Sequence, residues 1–327
     1  MPKVMETPSD PGIPTIAAVL DPAELARQLS VLLGWDTTQG MRLRVLRWKK
    51  ANRCTFEVAL GTAGVCQELI GKVYAEDRSD VYRVMEEIRQ AGFGAEDEFS
   101  VPRPIAFLPS LHLLLYEKVA GAKARGLIVQ SGGADSTRAA EQCARWLARF
   151  HARAPRLARG PVVHVNDHLM FSERAWRSVA DLGEPFAHKA SRLFGQLSAT
   201  APGLPPSELC AGHGMYTPGQ VLLAAGRTVT VDWDTYQVAD PSHDVARFLV
   251  SLKRLGLKCF GSIHALEAAA GVFLKTYVAA GADITPRLPF QEAVICLERA
   301  KREVENQADG WRERVETMLN EGLAVLR

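Results

Sequence analysis

Residues Cys210 to Leu249 read CAGHGMYTPGQVLLAAGRTVTVDWDTYQVADPSHDVARFL. His213-Gly214 ends one turn, and Tyr216 to Gly219 forms a second. Gln220 to Leu223 reads as a short strand, Ala225-Gly226-Arg227 as a hairpin turn, and Val229 to Val231 as the returning antiparallel strand. Asp232 and Asp234 fall at the end of that strand, where alternation puts both side chains on the same side. Asp240-Pro241 opens a helix with Asp at the N-cap and Pro at the first position, and Asp244 sits in its first turn. So read, the hairpin gathers Met215, Gln220, Asp232 and Asp234 at its mouth. Hard carboxylate and amide oxygens there suit Mg2+. A strand end also carries acids for plain solvation, and a short motif is weak alone.

Upstream of this hairpin, Asp21-Pro22 starts a helix with Leu25, Leu29, Leu32 and Leu33 on one face. Residues before about 18 read as a flexible tail. Three strands follow, over Met41 to Trp48, Arg53 to Leu60 and Glu68 to Tyr74. A helix from Ser79 to Ala91 carries Val81, Val84, Met85 and Ile88 on one side. Pro102 and Pro104 read as breaks, and Leu111 to Val119 as a buried strand. Beyond Gly121 the pattern turns helical: Ala134 to Ala154, Glu173 to Leu182, Pro185 to Ala199, and almost everything after Pro241. Interruptions fall near Gly256-Leu257, Gly281 to Pro289 and Asp309-Gly310. The expected fold class is α+β with two lobes. A tail covers 1–18, an antiparallel sheet lobe 19–118, and a larger helical lobe 119–327.

His213-Gly214, Val231-Asp232-Trp233, Asp240-Pro241 and Asp244 resemble, in type and spacing, the aminoglycoside phosphotransferase and choline kinase-like family. That family has the protein-kinase-like fold. Gly71-Lys72-Val73-Tyr74 resembles its strand bearing the ATP-binding lysine. Val101-Pro102-Arg103-Pro104 and Leu113 to Glu117 resemble the approach to its hinge, and Ala144 to Ala152 with His151 resembles the helix before its catalytic loop. The likeness spans about residues 41 to 280.

The resemblance implies ATP and Mg2+ as cofactors and phosphoryl transfer to a hydroxyl of a small molecule. Lys72 would hold the α- and β-phosphates, with Asp80 or Glu87 as its carboxylate partner. Asp232 would be the principal Mg2+ ligand. Glu117, at the lobe boundary, would meet adenine through its backbone or simply be solvated. The family's catalytic Asp falls at Met215, whose thioether cannot accept a proton, and its metal-binding Asn falls at Gln220. Asp234 is left as an exposed acid, a substitute base or a second ligand. His213 and Asp244 read as a loop-holding hydrogen bond rather than a catalytic pair. The first turn, Trp48 to Arg53, has no glycine with which to cradle phosphate; Lys49, Lys50 and Arg53 supply charge there. Two functions follow: a small-molecule phosphotransferase, or a pseudokinase acting as a nucleotide-binding or protein-interaction module.

Composition bounds both. The chain has 327 residues, 47% hydrophobic and 23% charged, with Lys+Arg 39 against Asp+Glu 37 and a net charge of +2. That supports a sizeable core and offers no basic excess for nucleic acid. No apolar run approaches the ~20 residues of a membrane span, and the start lacks a secretory signal. The six cysteines are widely spread with no metal spacing, as expected of reduced thiols in a cytoplasmic protein. His151, His164 and His168 read as structural. The near balance of charge gives no help to a polycationic substrate, and the acceptor is not named by any motif.

Overall fold

A computed structural model describes residues 9–327 apart from 36–39, 63–64, 131–132, 158–159 and 282. It divides into two compact units, one ending at Ala120 and the other running from Gly121 to Arg327.

The first unit contains α1 (Ile16–Leu20), α2 (Pro22–Leu33), β1 (Met41–Lys49), β2 (Arg53–Thr62), β3 (Val65–Tyr74), α3 (Ser79–Gln90), the two-residue β4 (Phe99–Ser100), β5 (Pro104–Leu108) and β6 (Leu113–Glu117). Five strands form an antiparallel sheet in the order β1-β2-β3-β6-β5. Asp21 caps α2 by accepting the amides of Ala23 and Glu24 at 2.9 and 3.0 Å. Register sets Cys54 opposite Val73, Phe56 opposite Gly71 and Val58 opposite Leu69. These residues line one face, where Ile13, Ile16, Val19, Leu25 and Leu29 complete a buried cluster. Gly71 has to be glycine for space, since a Cβ there would lie 2.4 Å from the Phe56 ring. Thr55, Lys72 and Leu114 are in register on the opposite face.

Two expectations fail in this unit. Residues 1–8 of the expected tail lie outside the described residues, but its later part is anchored: Asp10, Ile13 and Ile16 are buried, the two isoleucines in the cluster on the sheet. A five-residue helix is too short to show a hydrophobic period, so the sequence pattern hid it. Pro104 opens β5 instead of breaking the chain. It starts an edge strand, where a missing N–H costs little.

The second unit contains β7 (Ala122–Lys123), α4 (Ala124–Gln130), α5 (Gly133–Arg153), α6 (Val165–Ala180), α7 (Phe186–Thr200), β8 (Cys210–Gly212), β9 (Val221–Ala224), β10 (Arg227–Thr230), β11 (Gln237–Ala239), α8 (Pro241–Phe260), α9 (Glu267–Ala279), α10 (Leu288–Asn306) and α11 (Trp311–Val325). Its core is helical, with Trp146, Phe150, Tyr216, Phe248, Phe273 and Phe290 buried. Helix α6 begins well before Glu173, because the Asp167 carboxylate accepts the His164 amide at 2.8 Å and starts it at Val165. Helix α8 passes through Gly256 and stops at Gly261, which is left-handed with φ 72°. Gly256 has another use: a Cβ there would meet the Ser262 carbonyl oxygen at 2.6 Å.

Among the described residues no helix is long and apolar enough to cross a membrane. Cys54, Cys143, Cys210 and Cys296 are buried free thiols and Cys259 is exposed. Burial, helped by the charge of Asp10, pushes the Cys54 thiol up to about 11, so it is no nucleophile at neutral pH.

Candidate functional site

Two short antiparallel pairs frame the hairpin region. β8 pairs with β11, matching Cys210 to Ala239 and Gly212 to Gln237. β9 pairs with β10, matching Val221 to Thr230. Residues 213–220 connect β8 to β9, and residues 231–236 connect β10 back to β11. The two connections run side by side and are tied at both ends. The Val231 amide donates to the Gln220 carbonyl at 2.9 Å, and the Thr235 hydroxyl donates to the His213 carbonyl at 3.0 Å. Gly214 sits at the closest approach. Its φ is 77°, and a Cβ would lie 2.1 Å from the Thr235 carbonyl oxygen, so no side chain is accommodated.

Asp244, in the first turn of α8, is the anchor beneath. Its Oδ2 accepts the His213 amide at 2.6 Å and its Oδ1 the Gly214 amide at 2.9 Å. The His151 Nε2 lies 3.4 Å from the same Oδ2, and the Tyr277 hydroxyl lies 2.7 Å from the His151 Nδ1. Burial opposes the Asp244 charge, yet the His151 hydrogen bond and the neighbouring imidazoles hold its carboxyl well below the usual range. It is a fixed anion that spends both oxygens on the loop. The hydrogen bond expected between His213 and Asp244 is made by the His213 backbone amide.

The His213 ring is occupied elsewhere. Its Nδ1 accepts the Met215 amide at 3.3 Å and its Nε2 lies 3.1 Å from the Val231 carbonyl. Those partners require a neutral ring with the proton on Nε2. With both nitrogens used and the ring buried against Trp233 at 4.8 Å, His213 orients the two connections. Tyr216 fastens the first of them to α5 by donating to the Cys143 carbonyl at 2.8 Å. Trp233 fastens the second through its indole N–H, 3.0 Å from the Thr230 carbonyl.

Asp232 and Asp234 do not alternate along a strand. β10 ends at Thr230, Asp232 is left-handed with φ 72°, and Trp233 to Thr235 form a 3-10 turn containing Asp234. Asp tolerates that conformation better than most residues, and it re-aims the chain between the two aspartates. Met215, Gln220, Asp232 and Asp234 are each half-buried. The Gln220 side-chain oxygen accepts from the Thr217 hydroxyl, and a carbonyl oxygen has a second lone pair. Among the described residues no group of three His, Cys, Asp or Glu side chains forms a metal cage. Mg2+ does not ask for one: it takes one or two carboxylates plus phosphate oxygens and water. An Asp232 carboxylate and a Gln220 amide, carried on two connections tied at Val231, fit that donor set.

In the sheet unit, Lys72 is 4% exposed and lies two residues from the end of β3, not solvated as an isolated strand lysine would be. A buried ammonium is costly unless an anion meets it. Of the two carboxylates expected beside it, Asp80 accepts from Nε and Nη2 of Arg78, each at 3.0 Å, and Glu87 is exposed. Glu117 is bound to Arg103 twice. Its amide donates to the Arg103 carbonyl at 2.9 Å and its Oε2 accepts the Arg103 amide at 3.1 Å.

The turn between β1 and β2 holds a residue that sequence reasoning missed. Asp10 accepts the Ala51 amide at 2.9 Å, the Trp48 indole N–H at 2.9 Å and the Gly12 amide at 3.0 Å. Ala51, at the tip, has φ 53°, so the backbone does adopt a turn that glycine would favour. Its amide is nevertheless taken by an internal carboxylate. Those hydrogen bonds, the indole's first, hold the Asp10 carboxyl below its ordinary value. Its local bond to Gly12 is an ordinary turn contact, and nothing local marks its role at this turn, because Trp48 and Ala51 are 38 and 41 residues away in sequence.

The sequence matches the family model described as "Phosphotransferase enzyme family" over residues 44–271. No curated protein matches the chain by sequence. Among solved structures, a choline/ethanolamine kinase family protein from Mesorhizobium loti is 14% identical with TM-score 0.60, covering 93% of this chain and 94% of its own. A choline kinase from Cryptosporidium parvum is 11% identical with TM-score 0.62, covering 92% and 93%. A glucosamine kinase is 19% identical with TM-score 0.61, covering 94% and 85%. With more than half its length matched, and with an α+β kinase-like fold of antiparallel-sheet N-terminal lobe and larger helical C-terminal lobe, the chain belongs to the phosphotransferase enzyme family.

Proposed function

We propose that the protein transfers a phosphoryl group from ATP, with Mg2+, to a hydroxyl of a small molecule, and that it does so without a carboxylate base at position 215. The observation that carries this reading is the loop frame: Asp244 still binds the His213 and Gly214 amides, and Val231 still ties Asp232 to Gln220. In this reading Lys72 binds the phosphates, and Asp232 and Gln220 hold the metal. Bound Mg2+ supplies charge neutralisation on the phosphates. Asp234 is the nearest carboxylate in sequence to Asp232 and stands in for the missing base. Glu117 marks the adenine end of the site. Phosphoryl transfer rests mainly on positioning and charge stabilisation, and a general base adds ~10²–10⁴-fold. Turnover is therefore slow but not abolished.

Titration with ATP in the presence and absence of Mg2+ tests the site before any acceptor is known. Saturable, Mg2+-dependent binding that is lost in Lys72→Ala and Asp232→Ala is expected, followed by ADP release with a panel of sugars, amino alcohols and aminoglycosides. Met215→Asp should raise that turnover ~10²–10⁴-fold. Binding that ignores both substitutions would overturn the proposal.

A second reading is favoured by one specific observation, the Asp10 carboxylate on the Ala51 amide. An acid at the tip of the phosphate-side turn repels phosphate, as expected of a pseudokinase that acts as a binding or interaction module. Nucleotide binding with no ADP release even from Met215→Asp would select this reading over the first.

A further inference from the structure

We infer that the Arg44–Glu57 pair on the open face of the sheet is the platform on which the nucleobase stacks, with Arg44 as the base-binding residue and Glu57 as the residue that positions it. This rests on the reading above, in which Lys72 binds the phosphates and Glu117 marks the adenine end. Thr55 lies opposite Lys72 and Glu57 opposite Ile70 across β2 and β3, and Arg44 lies opposite Glu57 across β1 and β2. Residues directly opposite share a face, and so do side chains two apart on a strand. Arg44, Glu57, Ile70 and Lys72 therefore occupy one face, away from the buried cluster of Phe56, Val58 and Leu69. Glu117 pairs with Leu69, about 10 Å from Lys72 along β3 at the rise of a strand. A nucleotide with its phosphates at Lys72 and its base toward Glu117 passes over Ile70 and Glu57.

That stretch carries ions where an apolar floor would suit a base. Arg44 Nε and Nη2 both donate to Glu57 Oε2, at 2.8 and 2.6 Å. Glu57 Oε1 lies 3.3 Å from Lys118 Nζ, which lies 3.0 Å from Glu68 Oε1. Glu57 is thus held between two cations, and its side chain is 18% exposed, whereas that of Arg44 is 70% exposed. Two contacts fix the guanidinium plane and leave its faces open.

The chemistry of the pair selects the ligand. As a cross-strand surface ion pair it adds little to stability. As a plane it has a partner, because a guanidinium stacks on flat aromatic rings in a way that an ammonium on a flexible stem does not. A purine is such a ring. Glu57 alone would be out of place, since an acid on the face of the phosphate lysine opposes an anionic ligand. As the clamp that keeps Arg44 flat, its position is accounted for. The pairing of β1 shifts directly after Arg44, between Val45 and Arg47, and a bulge re-aims the side chains beside it. A stacked plane meets the face of a base and not its edge, so the platform takes adenine and guanine alike.

Calorimetric titration of the full chain with ATP and with GTP, each in the presence of Mg2+, tests the platform. Arg44→Ala should weaken both nucleotides by the same factor, about fivefold, the worth of a stacking contact of ~1 kcal/mol. Arg44→Lys keeps the charge and an ion pair with Glu57 but loses the plane, and should bind as weakly as Arg44→Ala. Arg44→Tyr keeps a plane without the charge and should restore most of the affinity. Glu57→Ala removes a negative charge, yet it should weaken binding about threefold, because the freed guanidinium must be ordered again on binding. Wild-type affinity in Arg44→Ala or Arg44→Lys, tighter binding in Glu57→Ala, or a loss confined to one of the two nucleotides would overturn the assignment. If Lys72→Ala abolishes binding while every Arg44 and Glu57 variant binds like the unmodified chain, the phosphotransferase reading stands and the platform falls. If neither nucleotide binds the unmodified chain, both fall.

Discussion

The β1–β2 turn and the paired connections at 213–220 and 231–236 answer the same structural need, fixing a bend beside a strand, in opposite ways. In the helical unit the bend is held from behind. Asp244 takes the amides of His213 and Gly214, and His213 spans Met215 and Val231. Asp244 and the His213 ring reach the bend through backbone groups, so the identity of the side chain at Met215 does not enter those bonds. In the sheet unit the bend is held at its tip, where Asp10 occupies the Ala51 amide. The difference teaches that frame and reactive positions are encoded separately. A bend held from behind leaves position 215 outside its anchoring hydrogen bonds to Asp244, whereas a turn held at its tip has its Ala51 amide already taken.

The largest expected effect comes from breaking the frame that is held from behind. Asp244→Ala leaves two buried amides and His151 without their acceptor, and should destabilise the protein by about 3–5 kcal/mol. Urea denaturation should show a lower midpoint with an unchanged slope. A loss under 1 kcal/mol would mean that the frame does not depend on Asp244.

Two glycines make the next comparison. Gly214 has φ 77° and a Cβ position 2.1 Å from the Thr235 carbonyl oxygen, whereas Gly34, ending α2, has φ 66° with nothing within 4 Å. Gly34→Ala should cost about 1 kcal/mol, for its left-handed backbone alone. Gly214→Ala adds a backbone collision and should cost about 3 kcal/mol. Equal costs would show that the two connections can part without penalty.

The turn held at its tip is opened by Asp10→Ala. The substitution releases the Ala51 amide and removes a like charge from any phosphate near it. If the β1–β2 turn takes part in nucleotide binding, affinity should tighten about fivefold, the worth of one net hydrogen bond of ~1 kcal/mol. Unchanged affinity would place the turn outside the nucleotide site.

What could be read from sequence divides along physical lines. The helix start at Asp21-Pro22 was legible because capping is local. Lys72 could be placed in a strand because Leu69, Ile70, Val73 and Tyr74 around it form a short apolar run. Asp232 was misplaced because a single left-handed residue ends the strand early, and a non-glycine in that conformation leaves no pattern. β8 and β11, three residues each, are too short for a period of two to declare itself. Asp10 and the approach of Thr235 to Gly214 are contacts between distant segments, which no window of sequence contains. The candidate site was therefore visible as a set of residue types, and its frame was visible only where the holding residue, Asp244, falls in a helix start.

The smallest effect separates the two units by pH. Seven of the eight histidines lie in the helical unit, and His112 alone lies in the sheet unit. His168 and His243 stack at 4.7 Å. Burial and the adjoining Arg247 charge hold both below the ordinary value, with Arg287 adding to the effect on His168. The His243 Nε2 faces the Arg247 Nη2 at 3.2 Å and its Nδ1 faces Gln291, so the native state keeps both rings neutral. The unfolded chain binds protons near pH ~6.5 and the folded chain does not. The stability these rings confer is complete above that value and falls as the pH drops through it toward their depressed native values. Between pH 7 and 6 the loss should be under ~1 kcal/mol for His168. The carboxylates stay ionised throughout that interval, so Asp10 and Asp244 keep their hydrogen bonds and neither bend is loosened by titration of its own anchor. Hydrogen exchange corrected for intrinsic rates should therefore show lost protection in α6, α8 and α10 and none in β1 to β3, and His168→Phe should shrink the pH response. An equal loss in both units, or a full response in His168→Phe, would assign the acid sensitivity to other groups.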